Sequence, residues 1–229
     1  GQTVKGLIPM KTILVLGATG RTGRSVLKHR PDGATVYAAV RRAGPGAPLP
    51  EGADAPRVVD IEDQAGLSAA LEGVDAVINA IRLRGDIAAT ALVGLHQSIV
   101  AARDTSRDLH VVHVGGAGSL RVGGGRRFWQ APGFPAATLP RGIGHARLRD
   151  YLEQYERDCR WAYLIPPPRF APDGPFRGRY ARIAAGGGER EFVDDGISYE
   201  DFAVALIDAV VGAWRGVWLI GGDGAPESP

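Results

Sequence analysis

The residues with the clearest chemical potential stand in one run, Gly17-Ala18-Thr19-Gly20-Arg21-Thr22-Gly23. They follow an apolar run, 12–16, and open a segment of helical character, 21–30. Strand, glycine turn and helix is the setting that a dinucleotide-binding fingerprint requires. The spacing is G-x-x-G-x-x-G. Gly17 would let the chain turn tightly off the strand, Gly20 would admit a pyrophosphate close to the backbone, and Gly23 would let the helix pack near the sheet. The helix start then offers N–H groups and the positive end of a dipole to phosphate oxygens. Thr19, Arg21 and Thr22 belong to the same turn. The competing reading is a strand-to-helix loop with incidental glycines.

Further candidates stand where strands end. Arg41 and Arg42 close the second apolar run. An acid at that place binds the ribose 2′-hydroxyl of NAD, whereas an arginine accommodates the 2′-phosphate of NADP. A charge-assisted hydrogen bond is worth about 1.5–3 kcal/mol, or roughly one to two powers of ten in affinity. NADP(H) is therefore favoured over NAD(H), against the alternative of two solvated arginines. Asp60 and Ile61 lie where such folds pass the adenine edge, or simply end a strand. Asn79 and Ala80 end a strand that is apolar in its middle, on the side that faces a cofactor in doubly wound sheets. Gly115 and Gly116 begin a second glycine-rich turn, where backbone would approach the nicotinamide or the substrate. Phe128, Trp129 and Phe134 would wall a substrate pocket, or pack their loop on the core. Tyr180 is grouped with them.

The elements that must position these residues alternate between strand and helix, which predicts a Rossmann-like α/β fold with a mostly parallel sheet. Strands are expected at 12–16, 34–40, 57–61, 75–80, 109–114, 161–165 and 217–220. Helices are expected at 21–30, 64–71, 86–103 and 143–158, and from an N-cap at Ser198 to about Val211. In the third helix Ile87, Ala91, Leu95 and Ile99 are spaced for one buried face. Residues 44–56, 121–142 and 170–178 read as irregular, and Tyr180 and Phe192 as parts of short strand-like pieces. Residues 1–9 read as an expression scar or disordered leader, and 10–229 as a single domain whose substrate region is mainly 119–200.

Composition bounds the function. The chain has 229 residues and a net charge of +2, too weak a footprint for nucleic acid. Its one cysteine, Cys159, can form no intrachain disulfide and reads as a small buried hydrophobe. Apolar runs are too short to span a bilayer, and no secretory signal precedes the fold. The expectation is a cytoplasmic protein with a small planar or apolar substrate, no nucleic-acid or membrane partner and no metal. The oligomeric state is open.

With these motifs in view, the chain resembles the atypical short-chain dehydrogenase/reductases. It is most similar to the NADH-flavin-reductase-type NAD(P)H-binding proteins, relatives of the NmrA-like and biliverdin-IXβ-reductase-like groups. The carrying motifs are Gly17 to Gly23, Val114 to Leu120, Pro132-Gly133-Phe134-Pro135, Trp161 to Pro166, and Ile197 to Ala203. The resemblance implies a dinucleotide across the strand tips, with Pro166 beside it.

Ordinary members of the wider superfamily use a Tyr-x-x-x-Lys pair to move a proton. Lysine occurs here only at Lys5, Lys11 and Lys28, so that dyad is absent. Three readings follow. Hydride could pass from NADPH to a flavin, quinone or other conjugated acceptor, which holds negative charge by delocalisation. Another group could supply the proton, with Ser119, His145 and Tyr151 the candidates by location, or the same pocket could serve a dehydratase, isomerase or cyclase. Or the protein could be a non-catalytic, NmrA-like dinucleotide sensor. His145 could titrate near neutrality, or be a surface residue at a helix start. His113, inside an apolar strand, reads as a core histidine.

Overall fold

The computed structural model describes residues 11–222. The expected leader and the tail after Gly222 lie outside them. Apolar runs without strict alternation form strands buried on both faces, and such runs make the middle of an eight-stranded sheet. The strands are β1 (Thr12–Leu16), β2 (Thr35–Val40), β3 (Ala55–Val58), β4 (Ala76–Asn79), β5 (His110–Val114), β6 (Arg160–Ile165), β7 (Ala181–Ala184) and β8 (Gly216–Gly221). Their order is β7-β8-β6-β5-β4-β1-β2-β3. All neighbours are parallel except β7, which runs antiparallel to β8 at the edge. This is the Rossmann-like doubly wound arrangement that the alternating sequence implies.

Among the described residues five helices cover the sheet: α1 (Arg21–Lys28), α2 (Gln64–Ala70), α3 (Ala91–Ala102), α4 (Leu139–Tyr155) and α5 (Tyr199–Val211). α1 packs against α5, while α3 packs against α2 and α4. The period of two along β1 feeds both faces. Ile13 and Val15 enter the core that holds Phe202 and Leu206 of α5; Leu14 and Leu16 enter the core that holds Leu67 of α2 and Ile99 of α3. Ser198 caps α5, its hydroxyl accepting from the Asp201 N–H at 3.1 Å. The Asp201 carboxylate accepts from the Arg177 and Gly178 N–H groups.

Several element boundaries depart from expectation, each for a local reason. α3 begins at Ala91, five residues after the expected start, because residues 88–91 first close a separate turn, the Ala91 N–H donating to the Ala88 carbonyl at 3.0 Å. Ile87 therefore precedes the helix. α4 begins at Leu139 rather than 143: Pro140, read as part of an irregular stretch, sits in the first helical turn, where a missing N–H costs nothing. β3 spans Ala55–Val58, and Asp60 and Ile61 lie in the loop beyond it. Phe192 belongs to a 3-10 turn, Glu191–Asp194, and not to a strand.

The region after β5 is tied down by charge. Arg149 of α4 is fully buried and binds both carboxylate oxygens of Glu189, at 2.7 and 3.0 Å. It also donates to Glu153 and to the Ser119 carbonyl. Glu189 accepts in turn from the Arg121 and Gly186 N–H groups. A buried pair whose remaining lone pairs are satisfied fixes geometry, and removing one partner costs about 3–5 kcal/mol.

Burial holds His96, His110 and His113 neutral by lowering their pKa values, that of His110 to about 4. An unfolded chain takes up protons on the same residues below about pH 6.5. Stability is therefore full above that value and is lost as pH falls through it. The thermal midpoint should be level from pH 8 to 7 and fall steadily between pH 6.5 and 4.5. A midpoint that is unchanged or higher at pH 5, by calorimetry, contradicts this.

Candidate functional site

At the carboxyl ends of β1 to β4 lies a cleft of about 1130 Å³. Its walls are the turn after β1, the tip of β2 (Ala39, Val40, Arg41), the loop after β3 (Val59 to Glu62), the loop after β4 (Ala80 to Arg84), and Tyr199 at the start of α5. The sheet order reverses between β1 and β4, so their following connections diverge and leave a crevice there.

The turn is built by steric exclusion. Gly17 has φ of 75°, and a Cβ there would press on the Ala80 carbonyl, 2.6 Å from its carbon. A Cβ on Gly23 would press on the Gly17 carbonyl, 2.7 Å from its carbon. α1 thus sits as close to the turn as backbone allows. Gly20 is the N-cap of α1; no side chain caps it, and no acid stands in the first turn. On the cleft side of Gly20 nothing approaches a Cβ position more closely than the Gly17 carbonyl oxygen, at 3.4 Å. An open, uncapped helix start beside a close-packed glycine turn fits a dinucleotide's diphosphate.

Gly17, Thr19, Gly20, Arg21, Thr22, Arg41, Asp60, Ile61 and Ala80 all line this cleft. Gly23 stands behind it. Arg42 is exposed outside the lining. Asn79 is buried and acts on the wall from behind: its amide oxygen accepts from the Ile81 N–H at 3.2 Å. Gly115 packs on the Tyr163 ring, and Gly116 under the His145 ring. Pro166 is buried at the end of β6. None of these last four lines the cleft.

The proton-donor candidates are placed otherwise than expected. Ser119 is buried and donates to the Gly116 carbonyl at 2.7 Å. The Tyr163 hydroxyl lies 3.0 Å from Ser119 Oγ and 3.1 Å from the His145 carbonyl, and it accepts from the Gly116 N–H. Burial pushes the Tyr163 hydroxyl up to about 12. His145 does not titrate near neutrality: burial, with Arg141 adding to it, pushes its pKa down to about 4. Its Nδ1 is sealed from solvent without a hydrogen-bond partner among the described residues. Tyr151 lies against His96 and Tyr155, with ring centroids 6.1 and 5.9 Å away, and not in the cleft lining.

The aromatic candidates form no wall of this cleft either. Phe128 and Phe134 meet edge to face at 5.4 Å, and Phe134 and Trp129 cover Gly142 of α4. Tyr180 donates to Asp208 at 2.6 Å and packs near Trp214. Asp208 is nine residues along α5 from Tyr199, about 13 Å down the axis, so Tyr180 belongs to the far end of that helix. Burial of Tyr180 and the Asp208 carboxylate raise its pKa.

Sequence reasoning missed Glu62, Arg82, Leu83, Arg84 and Tyr199 of the lining. Arg82 and Arg84 were reachable, since they follow directly on Asn79-Ala80 at a strand's carboxyl end. It also missed a buried polar chain behind the cleft. Asn79 Nδ2 lies 3.1 Å from His113 Nδ1, His113 Nε2 lies 2.8 Å from His96 Nδ1, and His96 Nε2 lies 2.8 Å from Glu156. Two neutral imidazoles satisfy every contact in one direction only. Asn79 donates to His113, His113 to His96, and His96 to the carboxylate. His113 is thus a core histidine, as expected, with the added task of orienting Asn79. Cys159 is likewise buried, its thiol pushed up to about 12 by burial.

A family profile described as NAD(P)H-binding matches residues 17–211, and the chain belongs to that family. The uncharacterized protein YwnB of Bacillus subtilis is 28% identical over 205 residues, covering 85% of this chain and 89% of that one. A candidate NADH-flavin reductase from Streptococcus pneumoniae superposes with a TM-score of 0.78 at 23% identity, over 93% of this chain and all of the other. A candidate exported protein from Burkholderia pseudomallei superposes with a TM-score of 0.76 at 29% identity, over 93% of this chain and 100% of the other. Among the described residues, no helix is long and apolar enough to cross a membrane.

Gly23→Ala should weaken dinucleotide binding at least tenfold and cost about 1–3 kcal/mol of stability, the usual penalty of overpacking. Gly94→Ala is the control: it lies in α3 with nothing within 4 Å of its Cβ position. It should be neutral or gain up to about 1 kcal/mol. Calorimetric titration and thermal melts of both variants check the pair, and equal behaviour of the two contradicts the packing account.

Proposed function

We propose that the protein is an NADPH-dependent oxidoreductase that passes hydride to a flavin, a quinone or another conjugated small molecule. The observation that carries this reading is the charge and shape of the cleft. It has an uncapped helix start for a diphosphate and an arginine, not an acid, at the tip of β2.

The bound dinucleotide supplies the hydride. The chain supplies position and charge. The first turn of α1 directs N–H groups at the diphosphate. Arg41 would meet a 2′-phosphate with a guanidinium where a carboxylate would repel it. The chain from Glu156 to Asn79 fixes the Ile81 N–H, and with it the backbone beside Ala80 that closes the cleft floor.

The state of the proton-donor candidates Ser119 and His145, and of Tyr163 beside them, supports the choice of acceptor. Ser119 and Tyr163 are engaged with backbone and with each other, and His145 is neutral. A tyrosine held near 12 is a weak acid at neutral pH. A conjugated acceptor spreads the incoming charge over its rings, so alignment of two rings suffices. The fold is shared with the candidate NADH-flavin reductase from Streptococcus pneumoniae.

NADPH oxidation should be stimulated by at least one of FMN, riboflavin and menadione, read at the nicotinamide absorbance. No stimulation by any of the three removes the reading. Arg41→Ala should cost about 10- to 100-fold in NADPH affinity, the worth of one charge-assisted hydrogen bond, and leave NADH affinity within a few-fold. An equal loss for both nucleotides contradicts the role given to Arg41.

A further inference from the structure

Two arginines line the β4 side of the cleft without acids to match them, and a third, Arg141, lies outside the lining but near enough to feel their charge. Arg82 and Arg84 follow the end of β4 and line the cleft. Arg141 stands in the first turn of α4, and its basicity is lowered by burial and then by the charges of Arg82 and Arg84. Tyr199 is the one group there whose charge would favour Arg141, and it closes the same corner of the cleft. Elsewhere the chain pairs its arginines: Arg30 with Asp54, Arg107 with Asp75, Arg127 with Asp150, Arg149 with Glu189. Arg82, Arg84 and Arg141 have no such ion pair or hydrogen bond among the described residues. The acids that line the cleft, Asp60 and Glu62, follow β3, on the opposite side of β1.

Arg82 and Arg84 are exposed and Arg141 is half-buried, so solvent screens part of their mutual repulsion, and an anion lying between them would relieve the rest. The dinucleotide's phosphates have their own places. On the reading above, the diphosphate would be held at the start of α1 and a 2′-phosphate at Arg41. The tip of β2 is two strands from the tip of β4, about 10 Å across the sheet. The corner at Arg82, Arg84 and Arg141 lies on the half of the sheet that the nicotinamide end would reach, beside the acceptor.

We propose that Arg82, Arg84 and Arg141 form a subsite for an anionic arm of the acceptor, a phosphate or a carboxylate. The physiological acceptor is then a planar conjugated molecule that carries such an arm. This rests on the reductase reading above, and it adds what that reading lacks, a chemical handle on the substrate. Arginine suits the task because its planar fork meets both groups with paired hydrogen bonds.

The test uses two matched pairs of probes that differ by one anionic group: FMN and riboflavin, and naphthoquinone sulfonate and the unsubstituted naphthoquinone. Each is titrated into the NADP-saturated full chain, with binding read by fluorescence quenching. The charged member of at least one pair should bind about 10- to 100-fold more tightly, as one charge-assisted bond predicts. In R84Q and in R84Q/R141Q that ratio should fall toward one, while the affinity for NADP and the thermal midpoint hold. Equal binding within both pairs by the wild-type protein overturns the proposal. So does a loss of NADP affinity as large as the loss for the charged probe, because the arginines would then serve the dinucleotide. Turnover is scored separately. A charge preference in binding without NADPH consumption defeats the reductase reading and leaves the subsite standing.

Discussion

The contact that sets the site is backbone on backbone. α1 meets the turn before it with no room for a single methyl group at Gly23, and that turn meets the tip of β4 with none at Gly17. These two approaches place the start of α1, β1 and the Ala80 carbonyl in one rigid corner. Everything that the cleft can bind is measured from there. A wider packing would move the helix N-terminus, and its dipole, away from the cleft.

Around that corner the chain separates charge: the acids of the lining, Asp60 and Glu62, follow β3, away from the β4 side. No acid stands in the first turn of α1, and arginines occupy the ends of β2 and β4. Behind the wall the polarity is handled differently, by neutral groups in a directed chain. His96 and His113 are neutral because burial makes the charged form costly. That neutrality lets each ring donate on one side and accept on the other. The result is a floor whose hydrogen bonds are all satisfied, with Glu156 as the single ionic terminus.

The parts of this fold that were readable in the sequence are those fixed by neighbouring residues. The apolar runs at β1, β4, β5 and β6, the glycine turn, and the Ser198 cap each follow from a few adjacent side chains. Helix starts were less readable. Pro140 stands in a stretch that reads as irregular, whereas its position in the first turn makes it compatible with α4; α3 starts only after the turn at 89–90, although Ile87 keeps the helical spacing. The site divides in the same way. Arg41 and Ala80 could be placed by counting to a strand's end, but Tyr199 reaches the cleft only because α5 packs on α1. The buried chain was out of reach, since His96 and Glu156 are 60 residues apart. The aromatic residues after β5 misled because hydrophobic rings in an irregular stretch look like a pocket wall, while here they cover Gly142 of α4.

The central claim is that the turn after β1 holds a nucleotide's diphosphate. It is tested most directly by titrating NADP into the nitrogen-15-labelled protein and following the backbone amides. The account predicts saturable shifts that are largest at Gly20, Arg21 and Thr22, with a second group at Arg41. Shifts absent at millimolar nucleotide, or centred on the opposite end of the sheet near Glu156 and Cys159, would contradict it.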